Sequence, residues 1–168
     1  YAVLHNREYR KKYELNLRRE LPRIPLFNDF WQWVKWGEGL MTLHVNYSKI
    51  EPYELKIINR NIENKTQIRA KLKVNKKLGR IILDDQTILE GVPNEAWEYK
   101  LGNRSAIEWI LDQYKEKSPK DPIVRKKFNT YKFQDHKEQV VDLLQRVIRL
   151  SIETMRIIGQ MEKRKKPE

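Results

Sequence analysis

The sequence contains no cysteine, which excludes a disulfide framework and every thiolate metal site. That absence fits a reducing compartment, and a cytoplasmic protein is expected. Histidine is nearly as scarce: His5, His44 and His136 lie far apart and share no ligand spacing, so no metal-binding residue is expected. With 6 glycines and 7 prolines, neither a low-complexity nor a collagen-like chain is possible. Nor is there a glycine-rich turn for a nucleotide or S-adenosylmethionine; Gly37-Glu-Gly39 has no third glycine and falls within a predicted helix. An Asn/Asp-Pro-Pro-aromatic loop, which an amino-methyltransferase needs to hold its base, is also missing. No apolar run is long enough to span a bilayer, so a membrane partner is not expected.

What remains is enough for a packed domain. In 168 residues there are 5 Trp, 8 Tyr and 4 Phe, and 39% of the chain is hydrophobic. The net charge of +12 is unevenly placed. Residues 56–80 carry nine basic and one acidic side chain, and residues 115–137 carry eight and three. Residues 81–114 between them carry two basic and seven acidic side chains. Two basic segments around an acidic one suggest patches aimed at a polyanion, although lysine-rich loops also serve solubility alone.

The periodicity changes twice along the chain. Asn6 is a plausible cap for a helix to about Leu21, with Tyr9, Tyr13 and Leu17 on one face and Pro22 and Pro25 to stop it. A second helix is expected from about Asp29 to Asn46. It is apolar on two sides, with Phe30, Val34 and Met41 on one and Trp33, Trp36 and Leu40 on the other. Such a helix packs against two things, here expected to be the domain's own sheet and a neighbour outside it, or else is wholly internal.

From Ile50 to Leu101 the period is two. Ile68, Ala70, Leu72 and Val74 alternate with Arg69, Lys71 and Lys73. Arg80–Asp84 and Thr87–Glu90 read as a hairpin around Asp85-Gln86, and Trp97–Leu101 as a further strand closed by Gly102. Ser105-Ala-Ile-Glu108 is a capping box for a helix to about Lys117. Asp135-His-Lys-Glu138 opens the longest helix, to about Met161, with Val140, Leu144, Val147, Ser151, Met155 and Ile158 as its buried stripe. The order predicts an α+β fold: N-terminal helices, a central mostly antiparallel sheet and a long C-terminal helix.

Two chemistries compete for the charged residues. A magnesium nuclease sets an Asp before Glu-x-Lys, and Asp84 or Asp85 with Glu98-Tyr-Lys100 imitates this. Glu54-Leu-Lys56 and Glu63-Asn-Lys65 match the same triplet, so it is cheap, and no catalytic residue is expected. Nucleic-acid binding has the better physical basis: cations along a strand supply phosphate contacts, while Arg, Asn and Gln can read base edges. The candidates are Gln67, Arg69, Lys71, Lys73, Asn75, Lys76, Lys77, Arg80, Asn103, Arg104, Arg125, Lys126, Lys127, Asn129 and Lys132. For any single one of them, a solvated side chain or turn cap is the commoner role. Trp97, Trp109 and Tyr114 could stack on bases, but their spacing favours core packing, and Lys163-Arg-Lys-Lys166 reads as a solvated tail. RNA recognition lacks its aromatic-rich strand.

Three blocks carry a family resemblance. They are Tyr1–Pro25, the run Ile88-Leu-Glu-Gly-Val-Pro-Asn-Glu-Ala-Trp through Tyr114, and Val140-Val-Asp-Leu-Leu-Gln-Arg-Val147 with Ser151-Ile-Glu-Thr-Met155. Together they resemble the C-terminal specificity domain of Type ISP restriction-modification enzymes, in which nuclease, translocase, adenine methyltransferase and target-recognition domains share one chain. The first block also recurs in related single-chain methyltransferases. The sequence starts without Met inside an apolar run, and so reads as a piece of something larger.

The resemblance implies a connector helix at 1–25, leading from an upstream methyltransferase domain, and a DNA target-recognition domain at 26–168. It implies double-stranded DNA and that methyltransferase domain as partners. No cofactor is implied in this piece; S-adenosylmethionine, ATP and magnesium would belong to the parent. The alternatives are a non-specific DNA-binding or interdomain coupling module and, behind it, the magnesium nuclease.

Overall fold

The computed structural model describes residues 1–60, 68–116, 121–124 and 131–163. Three short helices, α1 (Ala2–His5), α2 (Arg7–Lys12) and α3 (Glu14–Leu17), precede α4 (Phe30–Val45). The strands β1 (Lys56–Asn59), β2 (Ala70–Asn75), β3 (Arg80–Asp84) and β4 (Thr87–Glu90) form one antiparallel sheet in the spatial order β1-β4-β3-β2. A short helix α5 (Asn94–Glu98) and the two-residue strands β5 (Lys100–Leu101) and β6 (Arg104–Ser105) lead into α6 (Ala106–Gln113). The long helix α7 (Lys137–Lys163) is the last element among the described residues. This is the α+β architecture that the change of period predicts.

The β3–β4 hairpin has the expected ends for a local reason. The Asp84 carboxylate accepts the backbone N–H groups of Gln86 (2.8 Å) and Thr87 (2.7 Å), which fixes the turn. In β2 the alternation also holds, with Leu72 buried and Lys71 and Lys73 exposed. The strand is bulged, however: two residues, Lys71 and Leu72, occupy the space opposite Leu83, and Leu72 takes a positive φ of 42°.

The main core lies between this sheet and α7. Ile81, Leu83 and Leu89 from the sheet meet Val140, Leu144 and Ile148, with Ile107, Leu111, Trp97 and Phe133 filling the ends. Along α7 the buried stripe is the expected one at Val140, Leu144, Val147, Ser151 and Ile158. Thr154, rather than Met155, is buried in its next turn, because its hydroxyl meets His44 Nε2 at 3.0 Å.

Four expectations are corrected. The first helix is broken: Asn6 caps α2 as expected, accepting the Tyr9 N–H at 2.8 Å, but Tyr13 leaves helical geometry at φ −110°, ψ 22°. The helical path ends at Leu17, before the prolines, in a turn where Asn16 O accepts from Arg19 and Glu20. Trp97 is in a helix, not a strand, because Pro93 starts a turn of helix that buries Ala96 and Trp97. α6 ends at Gln113 rather than Lys117, with Tyr114 N–H closing on Ile110 O. Finally, α4 does not pack on the sheet, whose core face is already covered. Its Trp36 and Leu40 meet Ala2 and Met161, while Phe30, Trp31 and Val45 are 63%, 74% and 75% exposed.

Candidate nucleic-acid interface

β2 is an edge strand, with one side of its backbone outside the four-stranded ladder. Arg69, Lys71 and Lys73 are exposed there. Lys71 is tied to the largely buried Asp85 carboxylate at 2.9 Å. Among the described residues, Arg69, Lys73 and Lys77 form no ion pair and keep their charge available. At the end of the strand a 3-10 turn over Lys76–Leu78 is held by Asn75, whose side chain accepts the Leu78 N–H at 3.3 Å. Gly79 follows at φ 58°, and a Cβ there would meet Val92 O at 2.7 Å, so both conformation and space demand glycine. Asn75 is therefore a turn cap, and Arg80 pairs with Glu90 across the β3–β4 ladder on the face away from α7.

The N-terminus of α6 stands beside this edge. Ser105 and Glu108 form the expected capping box, and Lys76 reaches the Glu108 carboxylate at 2.8 Å. Burial opposes ionisation of Glu108, but the Lys76 ammonium, the Ser105 backbone N–H and the Ser105 hydroxyl outweigh it and bring its pKa down to about 2. Arg104 pairs with Asp112 at 3.1 Å and lies over the Trp109 ring, 5.4 Å from its centroid. Trp109 in turn donates its indole N–H to Leu101 O at 2.8 Å, which fastens the small β5–β6 hairpin to the helix. Lys73, Arg104, Glu108, Asp112 and Lys115 together border an open cleft of about 340 Å³ between β2 and α6.

The structure thus gathers Lys73, Lys76 and Arg104 and places Arg69 and Lys71 further along the same edge. Arg80, opposite Asn75 in the β2–β3 register, shares the face of Lys73 but is held by Glu90. Asn103 projects at the hairpin turn beside Gly102, which has φ 70°. Lys132 is exposed just before the buried Phe133. Gln67, Arg125, Lys126, Lys127 and Asn129 lie outside the described residues. Of the aromatic candidates, Trp97 is core, Tyr114 packs against the core, and Trp109 is 46% exposed under Arg104.

The carboxylates of the nuclease pattern are otherwise engaged. Asp84 is 1% exposed and salt-bridged to Lys137 at 2.7 Å, and Glu98 binds Arg7 at 3.0 Å. No acidic or histidine cluster able to hold a metal occurs among the described residues. The fold also brings a set of cations that the strand pattern does not reveal. Arg7, Arg10, Lys11 and Arg18 of the N-terminal helices stand against Lys100, Gly102 and Asn103. Their signal was present in the dense basic run Arg7–Arg19, but helical spacing alone does not say what that run faces.

A four-stranded antiparallel sheet with a cationic edge, and a hairpin pinned beside it, define a small α+β domain. The sequence profile of the Type ISP C-terminal specificity domain matches residues 1–143, and the chain belongs to that family.

Three solved structures are similar over nearly the whole chain. A cryo-EM DrdV–DNA complex has a TM-score of 0.91 and 48% identity over 99% of this chain. A nuclease-deletion mutant of the Type ISP restriction-modification enzyme LlaGI, in complex with a DNA substrate mimic, has a TM-score of 0.74 and 31% identity over 100%. The ATP-dependent Type ISP restriction-modification enzyme LlaBIII bound to DNA has a TM-score of 0.71 and 28% identity over 95%. This chain spans only 18%, 16% and 10% of those chains, respectively. No curated protein matches it.

Proposed function

We propose that this chain recognises a specific sequence in double-stranded DNA, as the specificity domain of a restriction-modification enzyme. The observation that carries this reading is its membership of the Type ISP specificity family over residues 1–143, joined to its likeness to domains of three proteins solved with DNA or a DNA mimic. The exposed cations of the β2 edge and the β5–β6 hairpin support it physically. Phosphate contacts set affinity and register, and arginine or asparagine side chains near them read base edges.

In this reading the domain acts inside a longer cytoplasmic polypeptide. It holds the duplex so that an upstream adenine methyltransferase, reached through residues 1–25, can flip its target base. S-adenosylmethionine, ATP and magnesium would serve those other domains. The bases are read by Arg69, Asn103 and Arg104 with Gln67, Arg125 and Asn129; Lys71, Lys73, Asn75, Lys76, Lys77, Arg80, Lys126, Lys127 and Lys132 hold or border the backbone.

Selection from a random duplex library tests the proposal. A reader enriches one motif, and each wrong base pair costs about 1–3 kcal/mol. If every duplex binds alike, with the same steep salt dependence, the chain is a non-specific coupling module and the proposal fails.

A further inference from the structure

We propose that α2, α3 and the β5–β6 turn form a second phosphate-contact site, which grips the backbone of duplex DNA beyond the β2 edge. The inference rests on the DNA-recognition reading above. Two open clefts meet at this turn: one of about 380 Å³ is bordered by Arg7, Arg10, Glu98, Lys100 and Gly102, the other of about 660 Å³ by Arg10, Lys11, Glu14, Arg18, Gly102 and Asn103. Arg10 and Gly102 belong to both, so the clefts form one trough divided by the hairpin turn.

The trough holds five cations and two carboxylates, and both carboxylates are already engaged. Glu98 binds Arg7 at 3.0 Å, and Glu14 binds Arg18 at 2.6 Å. Arg7 also reaches Glu162 at 3.5 Å, which ties this wall to α7. Arg10, Lys11 and Lys100 are exposed and form no ion pair among the described residues. Three uncompensated charges that face one trough repel each other and favour an anion between them.

The spacing of the charges identifies the ligand. They are spread along two joined clefts rather than converging on one buried point, which suits a polymer of regularly placed phosphates better than one small anion. The unpaired groups that face the trough, Arg10, Lys11 and Lys100, are cations, and the lysines lack a paired donor and acceptor for a base edge. Backbone contact is therefore expected of them, while Asn103 stands at the turn that divides the two clefts. Arg104 follows Asn103 directly and opens onto the β2–α6 cleft, so the trough continues the cationic border already described.

The test compares the wild-type chain with the R10A/K11A/K100A variant, titrating a labelled duplex at several salt concentrations. Removing phosphate contacts should lower the slope of log affinity against log salt by about 0.9 for each contact, or about 2 to 3 for the triple variant. The ratio of affinities for preferred and scrambled duplexes should stay the same. All three side chains are exposed, so circular dichroism should report a folded variant. Should it not, Lys100→Gln alone, on the turn, should still lower the slope by about 0.9.

An unchanged slope in a folded variant overturns the inference; the DNA-recognition reading survives that result if Lys73→Ala lowers the slope. A changed sequence preference at constant slope overturns it as well. A wild-type chain that binds no duplex at low salt overturns both.

Discussion

At the scale of single residues, the informative groups are those whose charge the fold has already used. Asp84 is buried with Lys137 at 2.7 Å, Gln134 at 3.1 Å and two backbone N–H groups. Burial raises its pKa, but these partners prevail and hold it below the usual carboxylate range. Its contribution to stability is therefore complete above about pH 3.9 and is lost as pH falls through its lower folded value. We expect Lys137→Met to strand that carboxylate and cost about 3–5 kcal/mol in urea unfolding. Ser105→Ala removes a cap and should cost about 0.5–2 kcal/mol in the same measurement. The capping box and the hairpin turn were legible in sequence because each is settled by four or five consecutive residues. What Lys71, Lys76 and Arg104 pair with was not, since the bulge in β2 and the docking of α6 set their distances to Asp85, Glu108 and Asp112.

At the scale of elements, α4 separates pattern from partner. Its apolar faces were evident in sequence, yet nothing local says that Trp36 and Leu40 rest on Ala2 and Met161 rather than on the sheet. The same limit hid the Arg10–Lys100 trough, whose two sides lie far apart in sequence. α4 also carries His44, whose Nδ1 lies 2.5 Å from the Tyr1 hydroxyl and whose Nε2 lies 3.0 Å from Thr154 Oγ1. Burial, then the nearby His5, lower its pKa from 6.5 to about 4. The folded state thus favours neutral imidazole, so stability is full above pH 6.5 and declines as pH falls towards 4. We expect His44→Gln to flatten that limb of the stability–pH profile, as measured by urea midpoints across the interval. In α7, Leu144 is fully buried, and Leu144→Ala should cost about 2–5 kcal/mol.

At the scale of the molecule, a net charge of +12 sets the balance between general attraction to nucleic acid and discrimination among sequences. Lys73→Ala should weaken all duplexes equally and lower the salt slope by about one. Arg104→Ala should alter preference at one position, as read by anisotropy on a panel of singly substituted duplexes; a uniform loss would make Arg104 a backbone contact. The bulge in β2 has a consequence of a different kind. A border strand with unsatisfied amides invites another chain to extend the sheet, and a kink flanked by lysines is how proteins prevent such growth. We expect the lysines proposed to meet nucleic acid also to discourage edge-to-edge association between copies of this domain. Lys73→Val would remove that guard, and its mark would be thioflavin-positive aggregation in a variant that still folds.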